Sequence, residues 1–430
     1  MTLIATHLFI PIFEPIMNRQ LPLLVLAVLL LTSQVGKAQL EPNADDWTQW
    51  RGQDRNGVAD IAWPDTLSVE KLIEERNISL QPSYSGPIVV GDRVFVTETQ
   101  DKKNEVVKAI RISDGKELWS TSWEGAMQVP FFAASNGSWI RSTPAWDNGR
   151  LFVGGIKDVM VCLDDENGSV IWKRDFPADS GSAVPSFGHV SSPLIDGEFV
   201  YVQAGGCFQK LNKSTGVTVW KSLEDGGGMN GSAFSSPHIA TLAGKRQAIV
   251  LTRTKLNGVD IETGEMLWSQ EIPAFRGMNI VTPTVFEGGI FLSTYGGTSQ
   301  FFEITKNGAA FQVTEKWKAG IQGYMTTPVV VDGYAYLRLK NQRFACFDLK
   351  TGEVKWRTRP YGKYASLIAA GDKIMALDER GDLILFKANP EKFEVVDVRR
   401  VADDSWAHLA ATSDRLFVRD LAGLKILKWK

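Results

Sequence analysis

Cysteine is scarce in this chain: Cys162, Cys207 and Cys346 are the only three among 430 residues. An odd, widely spaced set excludes a disulfide scaffold and a thiolate metal centre, so stability has to come from packing. Cys162 and Cys346 stand at the same offset before Gly168 and Gly352, which marks them as equivalent small core residues of a repeat. Histidine is scarce too, and His7, His189, His238 and His408 form no close pair of the kind that holds zinc. Neither sign of charge prevails, with 47 basic against 49 acidic residues and no long run of either. Nucleic acid is therefore not an expected partner, and neither is an anionic membrane. No amphipathic helical pattern follows residue 80, no G-x-S-x-G phrase occurs, and no glycine-rich stretch opens a helix as a phosphate loop must. No catalytic residue and no metal ligand set is expected.

What is present begins with an export signal. Asn18-Arg19-Gln20 is a short positive region, Leu21 to Leu31 is apolar apart from Pro22, and Gly36-Lys37-Ala38 offers small residues for cleavage. Residues 1–38 read as a signal peptide whose true start is Met17, and the alternative is an uncleaved N-terminal anchor. The apolar run is too short to span a bilayer comfortably. No cysteine precedes Cys162, so the acceptor of a bacterial lipoprotein is missing. The expected location is the periplasm or cell envelope, or outside the cell, with no transmembrane segment after cleavage. Residues 39–70 form a leader carrying WTQWRG, and residues 71–430 form the folded body.

Two phrases recur through that body. One is a turn followed by a strand ending in tryptophan: SDGKELW to Trp119, ENGSVIW to Trp172, STGVTVW to Trp220, ETGEMLW to Trp268, a looser copy to Trp317, and KTGEVKW to Trp356. The other places Ser or Thr before Pro, ahead of two apolar runs, at Pro87, Pro144, Pro193, Pro237, Pro283 and Pro328. Two further copies around Leu367 and Leu409 lack the proline. Eight starts at near-regular intervals, each with short apolar runs divided by Asp-Gly, Gly-Asp or Thr-Gly turns, predict eight four-stranded antiparallel sheets. One such sheet cannot bury its own faces, so copies stack radially. The fold class is all-β, an eight-bladed β-propeller. The last unit has room for three strands, and Lys71 to Leu80 is an orphan strand that supplies its fourth, closing the ring. Phe393 in "NPEKF" is expected to take the tryptophan role in the seventh blade.

The Trp-ended repeats resemble the pyrroloquinoline quinone (PQQ)-like propeller family, which includes quinoprotein alcohol dehydrogenases and the BamB-type scaffold of the outer-membrane β-barrel assembly machinery. Trp47, Trp50, Arg51, Gly52, Arg55 and Gly57 also fall on a W-x-x-W-R-G phrase that opens many exported PQQ-like proteins of planctomycete-type bacteria, with Thr48 and Gln53 in place of its prolines. Two roles are open for this leader. It can cap the surface and offer Arg51 and Arg55 to an anionic ligand, or its tryptophans can anchor it with the arginines held by carboxylates.

The resemblance implies a quinone cofactor with calcium only for the dehydrogenases, which carry adjacent cysteines and long inserted loops. This chain has neither, so no cofactor is expected. The expected ligand surface is the channel mouth ahead of the Ser/Thr-Pro strands, where Trp139, Arg141, His189, Phe234, Arg276, Tyr324, Lys363, Tyr364 and Trp406 fall. Aromatic and cationic residues in this mixture suit interface anchors. The expectation is a monomeric, non-enzymatic scaffold for another envelope or exported protein. The alternatives are a PQQ-dependent oxidoreductase and a carbohydrate-binding propeller that stacks sugars on Trp139, Tyr324 and Trp406.

Overall fold

A run such as Arg150–Gly155, held between the Asn148-Gly149 turn and Lys157-Asp158, has apolar side chains on both faces and needs a sheet on either side to bury them. The protein's structure, a computed structural model, describes residues 42–232 and 234–429. The signal peptide read over residues 1–38 lies outside the described residues. Eight such units each form a four-stranded antiparallel sheet in up-and-down order, and together they make a propeller. The first blade is Ile88–Val90, Arg93–Gln100, Asn104–Arg111 and Glu117–Glu124. Blades two to seven occupy residues 145–175, 194–222, 238–271, 284–319, 329–360 and 365–400.

Burial falls from the inner strand to the outer one. Ile88–Val90 is wholly buried, whereas in Glu117–Glu124 only Trp119 and Trp123 are. Neighbouring blades meet across continuous apolar clusters; the cluster between blades one and two, for example, joins Phe95 and Trp119 to Leu151 and Val161. The eighth blade is Ala410–Ala411, Arg415–Arg419, Gly423–Trp429 and, as its outer strand, Leu72–Ser79. That last pairing runs from Leu72 opposite Trp429 to Ser79 opposite Gly423, with a bulge between Glu74 and Arg76. The orphan strand therefore closes the ring as its sequence predicts, covering the edge that Gly423–Trp429 would otherwise expose.

The tryptophan phrase is an inter-blade joint. The side chain of Asp348 accepts from the N–H groups of Lys350 and Thr351 (2.8 and 3.1 Å), which bends the chain so that Gly352 takes φ 77°. A Cβ on Gly352 would lie 2.5 Å from the indole of Trp317 in the preceding blade. Gly168, Gly216 and Gly264 lie in the same way against Trp119, Trp172 and Trp220. Each of these indoles also donates across the gap: Trp119 to Asp165 O (2.9 Å), Trp172 to Lys213 O (2.9 Å) and Trp317 to Leu349 O (2.8 Å). Glycine is thus required twice over, for the turn and for the ring above it. Trp268 departs from the pattern. Blade five has a longer outer hairpin, Gly308 stands clear, and Trp268 donates to Gln247 Oε1 of its own blade (2.6 Å).

Phe393 does not take the tryptophan role. Its ring packs backward on Trp356, 5.3 Å between centroids, and on Phe344 and Phe386. The residue in tryptophan register is Asp397, paired with Leu385 just before the strand bulge. It accepts from Thr66 Oγ1 (2.5 Å) and the Leu67 N–H (2.7 Å), because blade eight offers an incoming strand there in place of a turn glycine.

The Ser/Thr-Pro phrase makes a second ring of joints nearer the axis. Gly86 N–H donates to Thr143 Oγ1 (3.1 Å), Thr143 N–H to Ser192 Oγ (3.1 Å) and Ser192 N–H to Ser236 Oγ (2.9 Å). The series goes on through Ser236 N–H to Thr282 Oγ1 (3.2 Å) and Thr282 N–H to Thr327 Oγ1 (3.1 Å). Each hydroxyl satisfies a buried N–H that has no strand partner. Between blades seven and eight, where the proline is missing, the sense reverses and Leu409 N–H donates back to Ser366 Oγ (3.0 Å).

Candidate interaction face and a plugged channel

The leader lies across the propeller axis. Trp47 exchanges backbone hydrogen bonds with Val89 in blade one (2.8 and 2.9 Å), and Trp146 N–H of blade two donates to Thr48 O (2.7 Å). On the far side, Ala59 N–H donates to Ala369 O of blade seven, and Ala369 N–H donates to Gly57 O, both at 2.8 Å. Between these anchors Arg51 donates to Thr327 O (2.6 Å) and Pro328 O (2.5 Å) of blade six. Arg55 donates to Pro193 O (2.7 Å) and Ser192 O (3.2 Å) of blade three. The guanidinium carbons lie 5.5 and 5.3 Å from the centre of the Trp50 ring, whose edge meets His408 of blade eight.

Both expectations for the two arginines are corrected. They are buried, at 3% and 5% exposure, and they hold carbonyl oxygens; among the described residues no carboxylate pairs with either. The cause is the Ser/Thr-Pro start of each inner strand, whose carbonyls face the axis without a strand partner. A forked guanidinium reaches two of them at once. Burial lowers Arg51 to about 10 and Arg55 to about 9, the latter also through repulsion by Arg51, so both are charged at neutral pH. Burial, with repulsion by both arginines at His238 and by Arg51 at His408, pushes His238 down to about 4 and His408 to about 3, so both imidazoles are neutral there.

The predicted mouth residues fall into four places. Trp406 lies between Tyr84 and Tyr364, with ring centroids 5.6 and 5.8 Å away. Arg141 lies over Tyr84 and donates to Gly137 O (2.7 Å) and Trp139 O (3.2 Å), and burial lowers it to about 10. Tyr364 is buried, its hydroxyl 3.1 Å from His408 Nε2. A second group joins Phe234, Arg276 and Tyr324 through residues not foreseen, as described next. The third place is solitary: Lys363 is exposed. His189 is not at the mouth. It is 1% exposed, with Nδ1 3.1 Å from Asp158 Oδ1 in blade two, because alternation turns it inward behind Gly154.

The most exposed large apolar residue among those described sits on a loop that leads from one blade to the next. Phe131 is 91% exposed and Phe132 56%, both on a short 3-10 turn, Phe131–Asn136. Ring contacts run from Phe131 to Phe132 (5.6 Å), Phe187 (6.0 Å) and Phe234 (6.0 Å). Arg253 covers Phe234 and donates to Met229 O (2.9 Å) and Arg276 O (2.6 Å). Arg276 covers Phe275, which meets Tyr295 (5.7 Å), which meets Tyr324 (5.4 Å). The arc therefore spans five inter-blade loops. The sequence signal that could have found it is Pro130-Phe131-Phe132 in a loop with no strand pattern around it.

Among the described residues no three His, Cys, Asp or Glu side chains converge on a metal position. The three cysteines are free and buried in separate blades, and burial raises each thiol to about 12. The axis is crossed by Trp50, Arg51 and Arg55. No helix among the described residues is long and apolar enough to cross a membrane.

Tryptophan-jointed four-stranded blades in a closed ring of eight define a PQQ-like repeat propeller. The sequence profile described as outer membrane protein assembly factor BamB matches residues 102–358, more than half of the chain, and the chain belongs to that family. It is 23% identical over 309 residues to the outer membrane protein assembly factor BamB of Yersinia pestis, a match covering 71% of this chain and 64% of that relative. The chain thus spans less than two thirds of that relative's length. The crystal structure of BamB from Moraxella catarrhalis superposes with a TM-score of 0.60 at 15% identity, covering 83% of this chain and all of that one. A quinohemoprotein alcohol dehydrogenase from Comamonas testosteroni gives 0.60 at 12%, covering 89% of this chain and 80% of the other. At these identities the structures show the fold alone.

Proposed function

We propose that this protein is an exported, non-catalytic scaffold of the cell envelope that docks another protein on its inter-blade loop face and carries no resident quinone. The observation that supports it best is the division of labour at the two ends of the axis. The leader fills one with buried Trp50, Arg51 and Arg55, whereas the loops at the other leave Phe131, Phe132 and Phe275 in solvent. Soluble monomers seldom expose a run of large apolar rings without a partner for them. Family membership supports the envelope, and among the described residues no three His, Cys, Asp or Glu side chains converge to offer calcium a carboxylate cluster.

The test is photocrosslinking in cells from position 275, which is exposed on the same arc, followed by fractionation of the envelope. A discrete adduct that disappears with Phe131→Ser/Phe132→Ser, with an unchanged melt, is the expected result. Absence of any adduct from the wild-type protein overturns the scaffold reading, and a melt shifted by added PQQ with calcium overturns the absence of a cofactor.

A further inference from the structure

The arc of rings carries cations at regular points. Arg253 lies 5.4 Å from the Phe234 centroid, Arg276 5.2 Å from that of Phe275, and Lys340 4.7 Å from that of Tyr295. None of the three forms an ion pair among the described residues, although such pairs are common elsewhere on the surface. The loops 125–144, 272–283 and 320–328 contain no aspartate or glutamate. On the other two loops Asp179 pairs with Arg174 and Asp225 is committed to the N–H groups of Gly227 and Ser232, which leaves Glu224 as the remaining acid. The face is therefore apolar and positive on a chain whose net charge is −2.

Its spacing is informative. Successive rings from Phe131 to Phe234 stand 5.6, 6.0 and 6.0 Å apart. Alternate side chains of an extended polypeptide are about 6.7 Å apart, so each step along the arc matches one same-side step of a strand. Past Tyr295 the surface continues into a groove of about 300 Å³ lined by Ile321, Leu339, Lys340 and Arg357, wide enough for one large side chain. Methionines stand on four of these loops, Met127, Met229, Met278 and Met325, and their unbranched thioethers adapt to varied apolar shapes.

We propose that this arc binds an extended, acidic polypeptide segment in which carboxylates alternate with aromatic or aliphatic side chains. Its apolar side chains lie against the Phe131–Phe234 rings, and its carboxylates meet Arg253, Arg276 and Lys340. The partner class rests on the scaffold reading above. A single-stranded nucleic acid would use the cations and rings but gain nothing from the methionines, which offer no stacking surface.

The test uses the purified propeller and fluorescence anisotropy with four labelled probes. They are a ten-residue peptide alternating glutamate with phenylalanine and leucine, the same peptide with lysine for glutamate, an oligo-dT strand, and vesicles containing an anionic phospholipid. The acidic peptide is expected to bind at least about tenfold more tightly than the lysine peptide and to weaken as salt rises. Arg276→Gln and Lys340→Gln, both at exposed positions, are each expected to cost about threefold or more, and Phe131→Ser/Phe132→Ser to remove binding, all with the wild-type melt. Equal affinity for the two peptides overturns the proposal, as does tighter binding of oligo-dT or vesicles. If the crosslinked adduct depends on Phe131 and Phe132 while no peptide binds, this inference falls and the scaffold reading stands. If the acidic peptide binds but no adduct forms in cells, the scaffold reading falls and the recognition chemistry stands.

Discussion

Trp119 lies so close to Gly168 that a Cβ on that glycine would sit 2.5 Å from the indole. Gly168→Ala therefore meets both the ring and a φ of 73°. Its expected cost is about 3 kcal/mol, combining a left-handed alanine with overpacking. Gly244 has φ 75° but open space around it, so Gly244→Ala should cost only about 1 kcal/mol. Urea unfolding of the two variants checks the difference; equal costs would mean that the joint yields without penalty.

Arg51 is the main pin of the leader. Replacing it with methionine keeps much of the volume and leaves the carbonyls of Asn56, Thr327 and Pro328 without a donor. The expected loss is about 3 kcal/mol, with early proteolytic cleavage between residues 42 and 70. Arg51→Lys should rescue little of it, because an ammonium cannot reach across the same fork. A protease map identical to wild type would show that the tryptophans alone hold the leader.

Glu105 is fully buried between blades one and two, accepting from Trp123 Nε1 (2.9 Å) and the Ile156 N–H (2.7 Å). Burial raises its carboxyl to about 7 from 4.5. A raised folded value means that the stabilising contribution is complete below pH 4.5 and is lost as pH rises through about 7. Relative to wild type, Glu105→Gln should gain on the order of 3 kcal/mol between pH 4.5 and pH 8. His238 and His408 act in the opposite sense, losing stability as pH falls below 6.5, and that part of the profile should be common to both proteins. Parallel unfolding curves across this range would remove Glu105 from the account.

Cys162, Cys207 and Cys346 should not react with a thiol reagent at pH 8 in the native state, since each is buried and its thiol raised to about 12. All three should react at once through the unfolding transition. A thiol that titrates early would locate a blade that opens by itself.

What was legible in the sequence was whatever repeats. Trp119 to Trp356, the Ser/Thr-Pro starts and the orphan strand at Leu72 each follow from local pattern plus the need to bury sheet faces, and the ring they imply is the one observed. What was illegible depends on contacts between distant segments. Arg51 and Arg55 looked like surface cations because nothing local shows that proline-flanked carbonyls wait across the axis. His189 looked exposed because its loop position does not fix which way alternation turns it, and Phe393 concealed Asp397 because the bulge shifts register by one residue. Phe131 and Phe132 carry no such signal, since an apolar pair in an irregular loop has no period to betray it.

The closing strand pair has a mechanical consequence. Leu72 and Trp429 face one another at the same end of the pair, so tension applied at those two points would peel it open one rung at a time, the weakest geometry a sheet offers. The leader intercepts that load. A pull arriving from before residue 42 is taken first by the Trp47–Val89 pairing and by Arg51 and Arg55 across the axis, so a tether attached at that side strains the plug and spares the zipper.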